Sequence, residues 1–252
     1  MAIKKATPRK SKSAKASPDK RAPLALTGQT TKDSQYLHRI IRAIADERNH
    51  PRHQGVAMQA HHVISATAMK ESGLADKIRK FGYDINLLDN LVFLPSTLQG
   101  ACHLGVQPHR GNHTAPILDS YDDDEHPLSY HKMVAKRIMA AKLGLTKDCP
   151  GYMGGPQDLT ARHKIKSELD NLSQQILKLI QKRPEEAPLT RVAAHFQPGD
   201  SIGCAGTDST TLHRFDHQCS VGRNHHKNQG PEQKVENITY ASDGKYQLKA
   251  GR

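Results

Sequence analysis

The sequence predicts an α+β protein that is mainly helical, with a small two-stranded sheet at its centre. Three observations support this fold class. Apolar residues recur at three- and four-residue spacing in several long segments, which is the helical period. Two short segments, 56–64 and 91–94, are typical of strands, and Pro95 ends the second. Between them lies a turn rich in Asp and Asn, at 82–90.

The helices are predicted from their apolar period and from their end signals. They span 33–49, 66–80, 128–143 and 158–182. Asp33 or Ser34 could cap the first helix, and Pro51 prevents its continuation. Gly73 weakens the second, because glycine costs about 1 kcal/mol in a helix interior. The segment 96–108 is predicted to be a loop or a broken helix, since glycines and a proline interrupt it.

The positive charge is concentrated at the start of the chain. The net charge is +12 over 252 residues, and the first 21 residues contain eight Lys or Arg against one acid, Asp19. With no periodicity in this stretch, residues 1–30 are predicted to be a disordered basic tail. Such a tail attracts phosphates independently of sequence by releasing their counterions.

Four regions follow from these features. They are the tail at 1–30, a domain with an N-terminal helix at 31–150, an amphipathic helix and linker at 151–189, and a region of unknown role at 190–252. Two strands are expected in the last region, at 237–241 and 245–249. No apolar run is long enough to span a bilayer, and no apolar segment follows the basic start as a secretory signal requires. The expectation is a soluble protein without a signal peptide.

Four histidines are the candidate catalytic and metal-binding residues. His61 and His62 are adjacent on the first predicted strand, so their side chains point to opposite faces and perform different tasks. His109 and His113 are four residues apart, which on a helix places both imidazoles on one face at metal-binding distance. Gly111 and Pro116 make a helix at 109–115 short.

Hydrolysis of a phosphodiester suits such a set. A water must lose a proton as it attacks phosphorus, and a neutral imidazole with a pKa near 6.5 accepts one at neutral pH. Negative charge then builds on the phosphate and on the departing oxygen, which one divalent cation can stabilise. Neutral imidazoles bind zinc and other late first-row metals well, whereas magnesium prefers oxygen.

Ala60-His61-His62, together with Gly82-Tyr-Asp-Ile-Asn86, Asn90-Leu-Val-Phe-Leu-Pro95 and His109-Arg-Gly-Asn-His113, resembles the AHH group of nuclease domains. This group lies in the HNH/endonuclease VII, or His-Me finger, superfamily. The resemblance implies a ββα-metal core surrounded by helices and metal-dependent cleavage of nucleic acid. It also implies a bacterial effector toxin that is paired with a cognate immunity protein.

The resemblance assigns roles to individual residues. His62 matches the general base and His61 a metal ligand, while His113 matches the final ligand and His109 the other histidine of the metal-bearing helix. One divalent ion is expected, with Zn, Mg, Mn or Ni as candidates. Asn90 matches the asparagine that bonds across the hairpin loop and orients His62, and Asn86 is the second candidate for that task.

Arg110, Lys132 and Lys136 flank this set and are expected to bind the phosphate backbone of the substrate. No base-reading motif accompanies them, so little sequence preference is predicted, and the resemblance to the superfamily implies DNA as the substrate. RNA is the alternative substrate, and a non-catalytic, zinc-stabilised DNA-binding protein is the alternative class. The resemblance further implies a protein that is cytoplasmic in its producer and is exported into target cells through a specialised secretion system.

Overall fold

The computed structural model of the chain describes residues 27–109, 128–141, 143, 158–190, 193, 237–241 and 246–252. The helices in these ranges are α1 (Tyr36–Ala43), α2 (Ala66–Glu71), α3 (Ala75–Lys80), α4 (Leu98–Leu104), α5 (Leu128–Ala140) and α6 (Leu159–Lys182). The strands are β1 (Met58–His62) and β2 (Leu91–Pro95), and short 3-10 helices lie at Pro51–Gln54 and Leu88–Asn90. The α+β class predicted from the sequence is confirmed.

β1 and β2 form an antiparallel pair in which His61 lies opposite Val92 and His62 opposite Leu91. β2 is buried along its whole length, whereas burial varies along β1. Strand alternation places Gln59 and His61 on one face of β1 and Met58, Ala60 and His62 on the other, so the two histidines have different neighbours.

The outer side of β2 is covered by the segment 246–252. Phe93 N donates to Arg252 O at 2.6 Å, and Gly251 N donates to Leu91 O at 2.7 Å. Leu248 joins the hydrophobic core. The strands predicted at 237–241 and 245–249 are not formed in the described residues, since both segments run as irregular chain. In the first of these segments, Thr239 N and Tyr240 N donate to Gln54 O, at the end of the 3-10 helix Pro51–Gln54.

Two further predictions about helices need correction. The helix predicted over 66–80 is two helices, because the chain turns at Gly73, which has a φ of 69°. The segment 96–108 contains a regular helix, α4, where only a loop or a broken helix was expected. Thr97 Oγ1 accepts from Gly100 N at its start, and Gly105 ends it in the left-handed region.

Residues 27–30 were predicted to belong to the disordered tail, and instead they lie against the turn at 82–85. Gln29 N donates to Tyr83 O at 3.0 Å, and Ile85 N donates to Gln29 O at 2.9 Å. Gly28 is needed at this contact, because a Cβ there would lie 2.0 Å from Tyr83 O. The N-cap position of α1 is Gln35 rather than Asp33 or Ser34, although Asp33 Oδ1 does accept from Tyr36 N, the first amide of the helix, at 2.8 Å.

One hydrophobic cluster joins these elements. Ile40 and Ile44 from the α1 region, β2, and the inner faces of α5 and α6 contribute fully buried side chains to it. The periodicity of 158–182 therefore forms a core face, with Asp158 capping α6. Among the described residues, no helix is both long enough and apolar enough to cross a bilayer.

Candidate functional site

His61, near the end of β1, is buried and contacts two other polar side chains. It is 3% exposed. Its Nδ1 lies 3.1 Å from His109 Nε2, and its Nε2 lies 3.0 Å from Tyr130 Oη. The second strand brings His109 here, because His109 N donates to Pro95 O at 2.8 Å, at the end of β2.

His109 precedes the region in which the sequence predicts a metal-bearing helix, and its own backbone is irregular. Arg110 and His113 lie outside the described residues, so the structure pairs two of the three predicted ligands. Burial lowers the pKa of His109 to about 4, and the charge of Lys32 lowers it further. The imidazole is therefore neutral at physiological pH, as a metal ligand must be.

The donors of His61 and His109 fit a transition-metal site. Two nitrogens bound tetrahedrally to zinc at 2.0–2.1 Å lie about 3.4 Å apart. The separation of 3.1 Å between Nδ1 of His61 and Nε2 of His109 is close to that value. Within the described part of the chain, three or more potential ligands do not converge. A complete site therefore needs a further ligand, a role for which the sequence nominates His113.

His62 points to the opposite side of β1 and is half-buried, and its Nε2 is 3.0 Å from Asn86 Oδ1. The orientation of the Asn86 amide follows from its partners. Oδ1 accepts from Asp33 N at 3.1 Å, and Nδ2 donates to Thr31 O at 3.0 Å and to Asp84 Oδ1 at 2.9 Å. Because Oδ1 only accepts, His62 carries its proton on Nε2 and presents a bare Nδ1.

The surroundings of His62 keep its ring neutral. Burial lowers its pKa below 6.5, opposed by the hydrogen bond to Asn86 and reinforced by the charge of Lys32. The ring of Tyr36 packs against it with centroids 4.6 Å apart. A neutral, oriented imidazole with a free lone pair is suited to accept a proton from water.

The two asparagines of the turn therefore have different contacts from those predicted. Asn86, the second candidate from the sequence, is the residue that contacts the His62 ring. Asn90 does bond across the loop, but to backbone: Oδ1 accepts from Ile64 N at 2.7 Å, and Nδ2 donates to Ile64 O at 2.9 Å and to Ile85 O at 2.8 Å. Asn90 therefore supports the chain just beyond His62 rather than the imidazole itself.

Two contributors were missed by the sequence analysis. Lys32 lies with its Nζ 4.7 Å from the centroid of the Tyr36 ring, and its charge acts on both His62 and His109. Tyr130 binds His61 from the start of α5. The four-residue spacing of Lys32 and Tyr36 was visible, but such pairs are ordinary at the start of a helix.

The predicted substrate-binding lysines lie on the outer face of α5. Lys132 and Lys136 are both exposed, while Tyr130, Val134 and Ile138 of the same helix are buried. The lysines line an open groove of about 540 Å³ together with Met133, Arg137 and Ala140. The groove thus lies on the side of α5 that faces away from His61.

Part of the chain is similar to a known protein family. Residues 44–149 match the family described as AHH, a nuclease family of the HNH/ENDO VII superfamily with conserved AHH. No curated protein and no solved structure matches the chain. The matched range contains β1, β2, the paired histidines His61 and His109, and His62 with both asparagines. The segment 44–149 of this chain is therefore similar to the AHH nuclease family of the HNH/ENDO VII superfamily.

Proposed function

We propose that this protein is a metal-dependent endonuclease that hydrolyses the phosphodiester bonds of DNA with little sequence preference. The supporting observation is that the neighbouring residues His61 and His62 on β1 have different surroundings. His61 is buried and pairs with His109, while the half-buried His62 beside it has an unprotonated Nδ1. Metal binding and proton transfer need these two environments next to each other.

His62 acts as the general base. Its Nδ1 accepts the proton of the attacking water, and Asn86 Oδ1 continues to accept from Nε2–H, which stabilises the imidazolium as it forms. A divalent cation would stabilise the charge that builds on the phosphate and on the departing oxygen. His61 and His109 would hold it, with His113 as the further ligand. Asn90 keeps the backbone after β1 in place, so that His62 keeps its position.

The substrate is held through its phosphates. Lys32 supplies a positive charge that acts on both His62 and His109. Lys132 and Lys136 are exposed on the far side of α5, so they would contact a longer substrate where it continues around that helix, with Arg110 as a further proposed contact. Such contacts position a backbone without reading bases. DNA is the proposed substrate, and RNA is an alternative that the experiment includes, because this chemistry does not require a 2′-hydroxyl.

The proposed biological role is that of an antibacterial effector toxin, exported by a specialised secretion system and neutralised in the producer by an immunity protein. The resemblance of the AHH motif to toxin domains supports this role. Inducing the wild-type chain in a bacterial host should arrest growth and degrade its DNA, whereas the His62→Ala variant should be tolerated. Equal growth of both cultures, with equal protein levels, would exclude toxicity of this origin.

The decisive experiment incubates purified protein with plasmid DNA and with total RNA across a panel of divalent ions. Chelation should abolish cutting, and re-addition of one ion should restore it. His62→Ala should lower the rate by about 10²–10⁴-fold, the usual contribution of a general base. His38→Ala is the matched control, because His38 is exposed on α1. It should leave the rate unchanged.

The same experiment separates the proposal from a non-catalytic, zinc-stabilised DNA-binding protein. A nuclease loses cutting in His62→Ala but keeps its fold and its metal. A zinc-stabilised binder would retain DNA binding in that variant and would cut in neither form. Persistent cutting in excess chelator, with contaminating nuclease excluded, would contradict the metal dependence.

A further inference from the structure

Tyr130 belongs to a buried chain of hydrogen bonds that leads to the proposed metal site. Its Oη lies 2.6 Å from Val63 O and 3.0 Å from His61 Nε2. His61 Nδ1 in turn lies 3.1 Å from His109 Nε2. Tyr130 is 0% exposed, so water does not substitute for these partners.

The protons in this chain follow from counting donors. A phenol has one proton, and a backbone carbonyl only accepts, so the Tyr130 hydroxyl donates to Val63 O. Its oxygen must then accept from His61, which places the proton of that neutral imidazole on Nε2. His61 Nδ1 is left bare, and in the metal-free protein it accepts from Nε2–H of His109.

We propose that Tyr130 is a positioning residue that holds His61 in the Nε2–H tautomer and so directs the Nδ1 lone pair at the metal position. This inference rests on the proposed function only in taking His61 as a ligand. A partner on the far nitrogen of a ligating histidine orients the ring and commonly changes metal affinity by about 10–100-fold. Burial raises the pKa of the Tyr130 hydroxyl, so it stays protonated and its donor role is constant.

The position of Tyr130 is itself fixed. The next residue, His131, lies with its Nδ1 2.8 Å from Ser65 Oγ, so two successive residues of α5 contact the segment 63–65. Asn90 O accepts from Val63 N in the same segment at 2.9 Å. The carbonyl of Val63, which accepts from the Tyr130 hydroxyl, therefore belongs to a backbone segment that is bonded to α5 on one side and to Asn90 on the other.

Nitrogen-15 NMR of the metal-free protein tests this directly, because the two imidazole nitrogens give different shifts when protonated and when bare. Wild-type His61 should show a protonated Nε2 and a bare Nδ1, and His109 a protonated Nε2. In Tyr130→Phe, His61 should lose its strong preference for the Nε2–H tautomer. The variant should also bind Zn²⁺ about 10–100-fold more weakly, as measured by calorimetry with the metal alone. Tyr246→Phe is the matched control, since its ring packs on Tyr240 and it too is largely buried.

A protonated Nδ1 on His61 in the wild-type protein would overturn the inference whatever the variants do. An unchanged tautomer and unchanged Zn²⁺ affinity in Tyr130→Phe would also overturn it. A wild-type protein that binds Zn²⁺ with the expected tautomer but cuts no nucleic acid would refute the proposed function and leave the role of Tyr130 standing.

Discussion

Replacing Asn90 with alanine should destabilise the whole domain, because this side chain joins three separate parts of the chain. Its amide bonds the backbone of Ile64 twice and Ile85 O once, and Ser173 Oγ of α6 donates to its Oδ1 at 2.8 Å. Asn90 is 1% exposed, so water cannot take over these bonds in the folded state.

The size of the effect follows from the groups that alanine would orphan. Four buried polar groups lose a partner, and each orphaned group costs about 1–3 kcal/mol if nothing relaxes. Ser173 can rotate to a new acceptor, and the loop can adjust, so the sum overstates the loss. We expect the free energy of unfolding to fall by about 3–5 kcal/mol, a large part of the 5–15 kcal/mol typical of a domain.

Urea unfolding followed by far-ultraviolet circular dichroism measures this loss, since the chain has no tryptophan to report fluorescence. Asn171→Ala is the control, because Asn171 is exposed on α6. It should change stability by no more than about 0.5 kcal/mol. A loss below about 1 kcal/mol for Asn90→Ala, with an unchanged denaturant slope, would refute the assignment of Asn90 as a structural tie.

Three further predictions rest on other contacts. The free energy of unfolding of the metal-free protein should fall as the pH is lowered from about 6.5 to 4. Burial holds the pKa values of His50 and His109 at about 4 in the folded state, whereas the same histidines bind protons near pH 6.5 in the unfolded chain. Each histidine contributes on the order of 3 kcal/mol at most to this loss of stability. Urea unfolding measured at a series of pH values tests the prediction, and a free energy of unfolding that does not change between about pH 6.5 and 4 would contradict it. Lys32→Ala should weaken substrate binding, reduce the slope of log affinity against log salt by about 1, and raise the pKa of the general base. Lys80 is an exposed lysine on α3 and serves as the control. Lys80→Ala should leave substrate affinity, the salt dependence of binding and the pH profile of cleavage unchanged. Deleting 246–252 should cost on the order of 2–4 kcal/mol, since Leu91 O and Phe93 N lose their partners and Leu248 leaves the core. An unchanged melting temperature would show that this segment adds nothing to the sheet.

Local patterns predicted much of the framework. The alternation of a strand implied that His61 and His62 face different environments, and the structure places one in a buried pair and the other beside Asn86. The long apolar period of 158–182 became α6 within one residue at its start. At 66–80 the period predicted one helix, which was wrong, because the positive φ of Gly73 divides the segment into two helices.

Local sequence patterns did not predict which of the two asparagines contacts His62. Asn86 and Asn90 lie in the same turn and have the same chemistry, so only the approach of residues 31–33 decides which amide meets His62. The N-terminal segment was predicted to be a tail as far as residue 30. Its contact with the turn depends on Gly28 fitting against Tyr83 O, which no local pattern encodes.

By itself, the sequence determined the histidine-bearing strand, its partner strand, most helices and the chemistry that neutral imidazoles can perform, because each depends on residues within a few positions of one another. Only the tertiary structure decided which nitrogen of each histidine is bare, since the partners that set the tautomers, Asn86 and Tyr130, are 24 and 69 residues away. The same holds for Lys32 and for 246–252. Their roles arise from packing between distant segments, where an ordinary side chain acquires a function through what it touches.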